Sequence, residues 1–560
     1  MRKKILITAA LPYANGCIHF GHLSGAYLPA DCYARFQRLK KHSVLFISGS
    51  DEYGTAIVHS AELAKRSSRE QADKYHRKNE KLLQRMSISF DHYFRTTSKY
   101  HAPIVQSFFL NLMKNGYIEK KETMQLYSDV EQRFLADNYV IGVCPHCGFS
   151  EARGDSCPKC GGTYDVSELI GPKSKITGSF LSLQKTIHWF LKCDAFKDKL
   201  LSWLHDRDWR ANIKHFAIPY VHKLQSRAIT RDLTWGVPIP LPNTEGKVLY
   251  VWFDAPIGYI SGTQEYFAFQ GNPDGWKDFW LDPDTEYIQF MGKDNIIFHA
   301  IIFPSMIMGQ DVQYKLVDRM IAYEFLNLEG KKFSKSSHWY VDLSEFLDRY
   351  SADVVRYVLL ANLPESHDSE FSFKDFQTRV NKELVGKLGN FVYRTISFIY
   401  SRMGEKIPEK VSLGESDVQF LNEMQNLMKS IEMAYQSVQL RKVIQLIMEM
   451  AHLANEYFDR KKPWVLYQNS QDRESLMAVL QTCLQAIQWM AIACFPIMPN
   501  TASAMWMQIV LPSDILNLGW DEAQKVSLSF GKELPVPCRL FEKIEDEMIE
   551  EDILQLKKSL

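Results

Sequence analysis

Hydrophobic residues near the start of the chain come in short runs that alternate with stretches of helical spacing. Residues 4 to 9 predict a buried strand, Leu23 to Lys40 a helix, and Val44 to Ser48 a second strand. Strands that alternate with helices in this way are typical of a parallel α/β layer. The sequence therefore predicts that the chain begins with a parallel-sheet domain.

This pattern is interrupted and then resumes. From about Met113 to Ile229, Gly, Cys and Lys become frequent. After Val248 apolar strands and helices return, with a strand over 287–291 and a helix from Phe298 to Met308. We therefore expect one α/β domain that contains an inserted domain.

From about Phe376 onward the pattern is almost wholly helical. Apolar residues recur there at helical spacing, among them Leu384, Leu388, Phe391, Val392 and Ile396, and again Phe420, Met424, Met428 and Ile431. The tail from Glu542 to Lys558 predicts an acidic amphipathic helix with a solvated charged face. Its expected inner face consists of Ile544, Met548, Ile553 and Leu556.

Charge and apolar runs exclude some classes of protein. Lys and Arg number 66, as do Asp and Glu; this balance leaves a nucleic-acid partner open, because phosphate binding needs only a local group of cations. No apolar run reaches the ~18 residues of a membrane helix. The basic, then apolar N-terminus is too short for a signal peptide, since polar Asn15 and His19 follow it directly. We therefore expect a cytoplasmic protein without a membrane segment.

Four of the ten cysteines, Cys144, Cys147, Cys157 and Cys160, lie within 17 residues. They form two CxxC pairs, each followed by glycine, which is typical of a zinc knuckle rather than of a disulfide framework. Four thiolates close a tetrahedral site and leave no position for water. We therefore expect one zinc ion with a structural role.

Two loops carry residues that suit a phosphate group. The first follows the first predicted strand and has His19, Gly21 and His22 at the start of a helix, where free backbone N–H groups and the helix dipole favour anions. In the second, Gly330–Ser337, Lys332 and Lys335 lie among small residues, and lysine acts on phosphate as a flexible point charge. Each motif alone is common in surface turns, but their order, with a long insert between them, is distinctive.

Together the two loops resemble the signatures of class I aminoacyl-tRNA synthetases, written HIGH and KMSKS. Residues 19–22 read HFGH and residues 332–336 read KFSKS. Phe20 and Phe333 depart from the common letters, and we interpret both as packing variants. The flanking segments 8–16, 250–260 and 292–299 are similar to the methionyl-tRNA synthetase family, and the resemblance covers essentially the whole chain.

The resemblance implies roles for particular residues. A methionine pocket would be lined by Leu11, Tyr13, Trp252, Ala255, Pro256, Tyr259, Asn295 and His299, with Asp51 holding the substrate ammonium. Catalysis would depend on His19, His22, Lys332 and Lys335, and ATP would be bound by Gly21, Gly292, Asp294 and Lys335, with Asp294 on the ribose. Arg231 would help to hold the adenylate, and the anticodon would be read by Asn390, Arg394 and Trp464.

The resemblance also implies an architecture: an α/β, Rossmann-like parallel-sheet catalytic domain with a zinc-knuckle insert, followed by an all-α helical-bundle anticodon-binding domain. We place the two halves of the catalytic domain at 1–115 and 231–325, the connective insert with the knuckle at 116–230, the KMSKS-bearing stem-contact region at 326–375, and the anticodon-binding domain with its C-terminal helix at 376–560.

The implied reaction is the ATP-dependent attachment of L-methionine to tRNA(Met) through methionyl-adenylate, with Mg²⁺ accompanying ATP. Two arguments from the residues agree with methionine as the substrate. Aromatic rings suit its polarizable thioether. An insert of about 115 residues is too small for the hydrolytic editing domain of branched-chain synthetases, which exists because a pocket discriminates one methylene by only ~1–3 kcal/mol.

Three alternatives stay open on the sequence. They are a class I synthetase for leucine or cysteine, a catalytically inactive tRNA-binding scaffold, and an HxGH nucleotidyltransferase of small-molecule metabolism. The intact histidine and lysine pairs argue against the scaffold, and the nucleotidyltransferase leaves the zinc insert and the helical part unexplained. Because the chain ends soon after the helical part, we expect a monomer without an appended module.

Overall fold

A computed structural model of the chain describes residues 2–135, 139–154, 157, 159–160, 164, 166–333 and 339–558. Its strands are β1 (Lys4–Ala9), β2 (Ser43–Ser50), β3 (His92–Arg95), β4 (Ile118–Ser128), β5 (Arg133–Phe134), β6 (Val140–Val143), β7 (Ile170–Ser174), β8 (Ser182–Leu191), β9 (Arg227–Ala228), β10 (Thr230–Arg231), β11 (Val248–Leu249), β12 (Glu286–Gly292), β13 (Arg319–Tyr323), β14 (Leu326–Leu328), β15 (Lys331–Lys332) and β16 (Ser369–Phe371).

The α-helices are α1 (Phe20–His22), α2 (Leu28–Leu39), α3 (Thr55–Leu63), α4 (Ser68–Arg85), α5 (His101–Lys114), α6 (Lys197–His205), α7 (Ala211–His222), α8 (Val251–Phe269), α9 (Lys277–Trp280), α10 (Phe303–Met308), α11 (Leu343–Arg349), α12 (Ala352–Ala361), α13 (Phe373–Arg379), α14 (Asn390–Arg402), α15 (Glu415–Gln436), α16 (Leu440–Lys461), α17 (Pro463–Leu466), α18 (Arg473–Cys494), α19 (Pro499–Gln508), α20 (Ile515–Leu518), α21 (Trp520–Ala523) and α22 (Asp546–Lys558). Short 3₁₀ segments cover Val166–Glu168, Cys193–Phe196, Lys293–Asn295 and Ser470–Asp472.

The predicted parallel α/β layer is confirmed. Five strands form one parallel sheet in the order β13-β12-β1-β2-β3. Both of its faces are buried, as is usual for parallel sheets. Ile5 and Ile7 belong to a core that continues through α12 into the helical region, whereas Leu6, on the opposite face, belongs to a second core shared with α5 and α8.

The part of the chain between β3 and β12 has a different architecture. Strands β4 and β8 form a long antiparallel ribbon in a four-stranded sheet of order β5-β4-β8-β9. A separate two-stranded sheet of β6 and β7 lies next to the four cysteines. This change from parallel to antiparallel pairing is the structural counterpart of the change in sequence pattern.

Three of the predicted helices contain π-helical segments that the pattern did not indicate. The helix expected over Leu23–Lys40 begins earlier, at Phe20, and has a π segment at Leu23–Tyr27 before α2. Its early start reflects capping by His19, whose side chain accepts the Gly21 N–H. The other π segments are Phe298–Ile302 and Val380–Gly389.

The C-terminal region is helical, as predicted, and its tail packs back onto the chain. The tail helix starts at Asp546 rather than at Glu542. The expectation that its charges are all solvated is wrong for Asp552, which is buried between Ile549 and Leu556 on the inner face. Burial is possible because the Tyr350 hydroxyl donates a 2.7 Å hydrogen bond to Asp552, and Arg349 forms an ion pair with it.

Among the described residues, one helix is long and apolar enough to span a membrane. It covers Ser470–Cys494, and 89% of its apolar window is buried inside the protein. Burial to that extent is typical of the core helix of a bundle.

Candidate active site

The first signature loop holds its two imidazoles through a reciprocal helix cap. His19 Nδ1 accepts the Gly21 N–H at 3.1 Å, and His22 Nδ1 accepts the His19 N–H at 3.2 Å. A ring nitrogen that accepts carries no hydrogen, so each neutral imidazole has its hydrogen on Nε2. The cap therefore gives both rings the same tautomer, with an Nε2–H donor.

A cavity of about 450 Å³ joins the two signature loops. It is lined by Ala10, Leu11, Pro12, His19, Gly21, His22, Gly25, Ala26, Tyr27, Gly292, Asp294, Asn295, Glu324, Phe325, Leu326, Lys332 and Phe333. The structure thus brings together every residue predicted for catalysis or ATP binding except Lys335. Lys335 lies outside the described residues, as do the serines on either side of it.

Two glycines of this cavity lie closely against side chains of the site. A Cβ atom on Gly292 would lie 2.8 Å from Asp294 Oδ1, and one on Gly21 would lie 3.0 Å from the His19 ring. Glycine at these positions therefore lets the carboxylate and the imidazole lie against the backbone. Burial raises the pKa of the Asp294 carboxyl, which accepts a 3.2 Å hydrogen bond from Asn295.

A second cavity of about 70 Å³ contains all nine residues predicted for methionine. Its lining consists of Leu11, Tyr13, Asp51, Val251, Trp252, Ala255, Pro256, Tyr259, Asn295, Phe298 and His299. Leu11 and Asn295 line both cavities. The two cavities therefore adjoin at these two residues, at the carboxyl ends of β1 and β12.

Asp51 is held at the edge of the second cavity by its backbone. Its N–H donates to the Pro12 carbonyl at 2.9 Å, and its carbonyl accepts the Ala14 N–H at 2.8 Å. Its Oδ1 is buried and has no hydrogen-bond partner among the residues that the structure describes. Burial and the neighbouring Asp254 carboxylate raise the pKa of Asp51. A cation placed here would relieve both effects, since it would pair with a buried carboxylate.

His299 and Tyr259 form the polar end of the same cavity. His299 Nδ1 lies 2.9 Å from the Asn295 carbonyl, so it carries the hydrogen, and Nε2 accepts from the Tyr259 hydroxyl at 2.9 Å. Burial lowers the pKa of His299 to about 4. The ring is therefore neutral at pH 7, and the cavity presents neutral and aromatic groups to a side chain.

Two lining residues of the smaller cavity, Val251 and Phe298, were absent from the prediction. Val251 is four residues before Ala255, and Phe298 is three residues after Asn295. Helical neighbours at these spacings share a face, so the spacing could have identified both. Glu324 and Phe325, which line the larger cavity, follow β13. No helical spacing to a predicted site residue indicated them in the sequence.

Arg231, by contrast, lines neither cavity. Its guanidinium lies over the Tyr250 ring, 3.9 Å from the centroid, and donates to the Thr230 carbonyl at 2.8 Å. Tyr250 is the residue before α8, which carries Trp252. The structure thus places Arg231 against the residue that precedes α8 and outside the lining of both cavities.

The four cysteines converge as a zinc site requires. Their Sγ atoms all lie within 4.8 Å of one another, with Cys144 to Cys160 at 3.9 Å and Cys147 to Cys157 at 3.6 Å. Tetrahedral Zn–S bonds of about 2.3 Å place sulfurs roughly 3.8 Å apart. The donor set and its spacing therefore fit a metal ion without rearrangement.

The three predicted anticodon residues lie against two successive turns of α16. The Arg394 guanidinium lies 4.8 Å from the Phe458 ring centroid and donates to Asp459 at 2.7 Å. The Trp464 ring lies 6.1 Å from the Phe458 ring and is 40% exposed. Asn390, at the start of α14, donates to Asn455 at 3.2 Å, one turn earlier on α16.

Two family models match the chain. Class I tRNA synthetases (M) match residues 5–396, and the anticodon binding domain of methionyl tRNA ligase matches residues 407–556. The chain belongs to the methionyl-tRNA synthetase family. This membership confirms the expected fold class, a Rossmann-like domain followed by a helical anticodon-binding domain.

Individual members of the methionyl-tRNA synthetase family agree over nearly the whole chain. The chain is 49% identical over 558 residues to methionine–tRNA ligase of Protochlamydia amoebophila (strain UWE25), covering 100% of this chain and 80% of that relative. It is 47% identical over 522 residues to methionine–tRNA ligase of Chlamydia pneumoniae, and the match covers 93% of this chain and 94% of that relative. A solved structure of Mycobacterium tuberculosis methionyl-tRNA synthetase in complex with methionyl-adenylate matches with a TM-score of 0.79 at 25% identity. The match covers 97% of this chain and 100% of that structure.

The enzyme class expected from the sequence is therefore confirmed. As a member of the methionyl-tRNA synthetase family, the chain is an ATP-dependent ligase that attaches methionine to tRNA(Met) through methionyl-adenylate. The leucine or cysteine synthetase, the inactive scaffold and the nucleotidyltransferase are thereby set aside.

Proposed function

We propose that methionyl-adenylate forms where the two adjoining cavities meet, with methionine in the smaller one and ATP in the larger. The observation that carries this proposal is the position of Leu11 and Asn295, which line both cavities. A substrate carboxylate at this junction would lie beside the α-phosphate of ATP. Its attack would release pyrophosphate, and the terminal adenosine hydroxyl of tRNA(Met) would then attack the adenylate carbonyl.

The first step needs no general base, because a carboxylate is already ionised at neutral pH. We assign its acceleration to positioning and to stabilisation of charge on the phosphates. His19 and His22 donate from Nε2, Lys332 and Lys335 supply ammonium groups, and Mg²⁺ accompanies ATP. We assign the ribose hydroxyls to Asp294 as the hydrogen-bond acceptor, since this residue lines the same cavity.

In the smaller cavity we assign the substrate ammonium to Asp51, whose buried Oδ1 has no partner among the described residues. The thioether would lie among Trp252, Tyr259 and neutral His299, which suit its polarizability. Because Trp252 and Phe298 are in contact, with ring centroids 4.5 Å apart, they close the aromatic side of this cavity.

The remaining assignments concern the rest of the chain. The four cysteines would hold one zinc ion that stabilises the insert, because a closed thiolate set supplies no catalytic position. Asn390, Arg394 and Trp464 would read the anticodon by edge hydrogen bonds and stacking. We further propose that the enzyme is a cytoplasmic monomer and keep the domain boundaries given above.

The proposal is tested by ATP–pyrophosphate exchange with each of the twenty amino acids and then by charging of tRNA(Met). Methionine alone should support exchange. Loss of one electrostatic contact typically costs ~10²–10³ in rate, so His22→Asn should lower exchange to that extent. The matched control is His452→Asn, since His452 lies on the exposed face of α16, where its Nε2 is 3.4 Å from the Glu456 carboxylate. Exchange that depends on another amino acid, or a fully active His22→Asn variant, would contradict the proposal.

A further inference from the structure

Phe333, the second residue of the lysine signature, makes the contact between the two signature loops. Its ring is stacked on His19, with centroids 5.0 Å apart and the planes 2° from parallel. It also meets the Phe20 ring edge-on, at 6.5 Å and 71°. Both departures from the common signature letters, Phe20 and Phe333, therefore lie in one aromatic cluster with a signature histidine.

This cluster is anchored in the protein core. Phe20 is fully buried, and its ring lies 5.2 Å from that of Phe346 and 4.8 Å from that of Phe371. Those two rings belong to the region that follows the lysine loop. Phe333 thus joins the loop to a rigid group of aromatic side chains and is itself only half-buried at the edge of the nucleotide cavity.

The stack restrains the His19 imidazole in a way that its backbone hydrogen bond does not. The 3.1 Å bond from the Gly21 N–H fixes which edge of the ring faces the helix start. The His22 ring also lies against the His19 ring, with centroids 4.0 Å apart and planes tilted by 55°. The Phe333 ring adds a parallel contact on the face of the imidazole, which opposes its rotation out of the present plane and so helps to fix the direction of the Nε2–H donor.

The same contact restrains Lys332. This lysine precedes Phe333 directly, and its ammonium lies 5.6 Å from the Phe325 ring centroid, at the rim of the cavity. The stacking of Phe333 on His19 therefore keeps Lys332 at the cavity that the two imidazoles also line.

We propose that Phe333 is a positioning residue for adenylate formation, because its ring orients the His19 imidazole and holds the adjacent Lys332 beside the histidine loop. This proposal rests on the function proposed above. It replaces our interpretation of Phe333 as a packing variant, and it assigns no direct contact between Phe333 and the substrate.

The test is a double-mutant cycle measured on one turnover of the enzyme. The rate of methionyl-adenylate formation is followed by rapid quench with methionine and labelled ATP. An aromatic pair contributes enough to change a rate by about two- to tenfold, so Phe333→Leu should lower the rate by that factor. Phe333→Tyr, which keeps the ring, should stay within about twofold of wild type. The KM for methionine should not change.

The decisive measurement is Phe333→Leu in a His19→Asn background. If Phe333 acts through the imidazole, the leucine substitution has little further effect there, because the partner ring is already gone. The same fold loss in both backgrounds would overturn the proposal, as would a Phe333→Leu enzyme with the wild-type rate. Phe333→Ile replaces the leucine variant if that protein does not fold.

Phe269→Leu is the matched control. Phe269 is an exposed aromatic that meets Tyr100 edge-on at 5.9 Å and lines neither cavity. It should leave the rate unchanged. Failure of the underlying function would look different, since the wild-type enzyme would then show no methionine-dependent exchange at all.

Discussion

Replacing Arg356 with methionine should destabilise the folded protein by about 3–5 kcal/mol, the usual cost of breaking a buried ion pair by removing one partner. The guanidinium of Arg356 is fully buried and bonds groups from three separate parts of the chain. It donates to Asp31 at 2.6 Å, to the Met86 carbonyl at 3.0 Å, to the Pro496 carbonyl at 3.0 Å and to the Ile497 carbonyl at 2.6 Å. Methionine fills much of the volume but satisfies none of these acceptors.

The same ion pair predicts how stability depends on pH. Burial raises the pKa of Asp31, but the guanidiniums of Arg35 and Arg356, together with hydrogen bonds from the Ser89 hydroxyl and N–H, outweigh burial and lower that pKa from 3.8 to about 2. A carboxyl whose pKa is lowered by folding stabilises the protein above its unfolded pKa, and this contribution is lost as the pH falls through the folded pKa. The contribution, about 2 kcal/mol at neutral pH, should therefore disappear between about pH 4 and pH 2.

Urea unfolding followed by tryptophan fluorescence at pH 7 and at lower pH measures both effects. Arg356→Met should lower the urea concentration at the first unfolding midpoint at pH 7. The further decrease of this midpoint below pH 4 should be smaller than in the wild type, because Asp31 then keeps only Arg35 as an ionic partner. The control is Arg77→Met, since Arg77 is 76% exposed and lies 3.9 Å from Asp73, an arrangement that contributes at most ~0.5 kcal/mol. Equal midpoints for the two variants would refute the reasoning.

Three further outcomes are expected. Cys144→Ala should abolish bound zinc and expose the insert to proteolysis; full zinc content with an unchanged melting curve would contradict this. Trp464→Ala should lower kcat/KM for tRNA by about 5- to 150-fold, as the loss of stacking on one base predicts, and should leave ATP–pyrophosphate exchange unchanged. The exposed Phe269→Ala is the control. Equal losses in exchange and charging would count against an anticodon role for Trp464. Asp51→Asn should raise KM for methionine at least about thirtyfold, since it removes one partner of a buried charge pair; an unchanged KM would exclude Asp51 from the ammonium site.

Much of the fold could be predicted because the informative patterns are local. The strand over 4–9 and the helix that follows His19 come from contiguous apolar runs, and the cysteine knuckle comes from short fixed spacings. The lining of both cavities was expected from the family resemblance instead, because most of its members lie in the two signatures and in the segments 8–16, 250–260 and 292–299 that carry that resemblance.

Contacts between residues far apart in sequence could not be predicted. Arg356 and Asp31 are 325 residues apart, and no periodicity connects them. Asp552 was expected in water because its neighbours are acidic, but Arg349 and Tyr350 of another region make its burial favourable. The stacking of Phe333 on His19 likewise depends on how two loops meet, which spacing within either loop does not encode.

Each of the three π-helical segments adjoins a proposed binding site. Leu23–Tyr27 follows His22 directly, Phe298–Ile302 contains His299, and Val380–Gly389 ends one residue before Asn390. Successive residues of an α-helix are rotated by about 100° around the helix axis. An extra residue in one turn therefore rotates all the side chains that follow it by about that angle relative to those that precede it. Deleting one residue from such a segment would give a regular helix and keep its apolar side packed. The side chains proposed to face the substrate or the anticodon would then point in a different direction around the helix axis. Selection for activity, rather than for stability, would therefore maintain these π-helical turns.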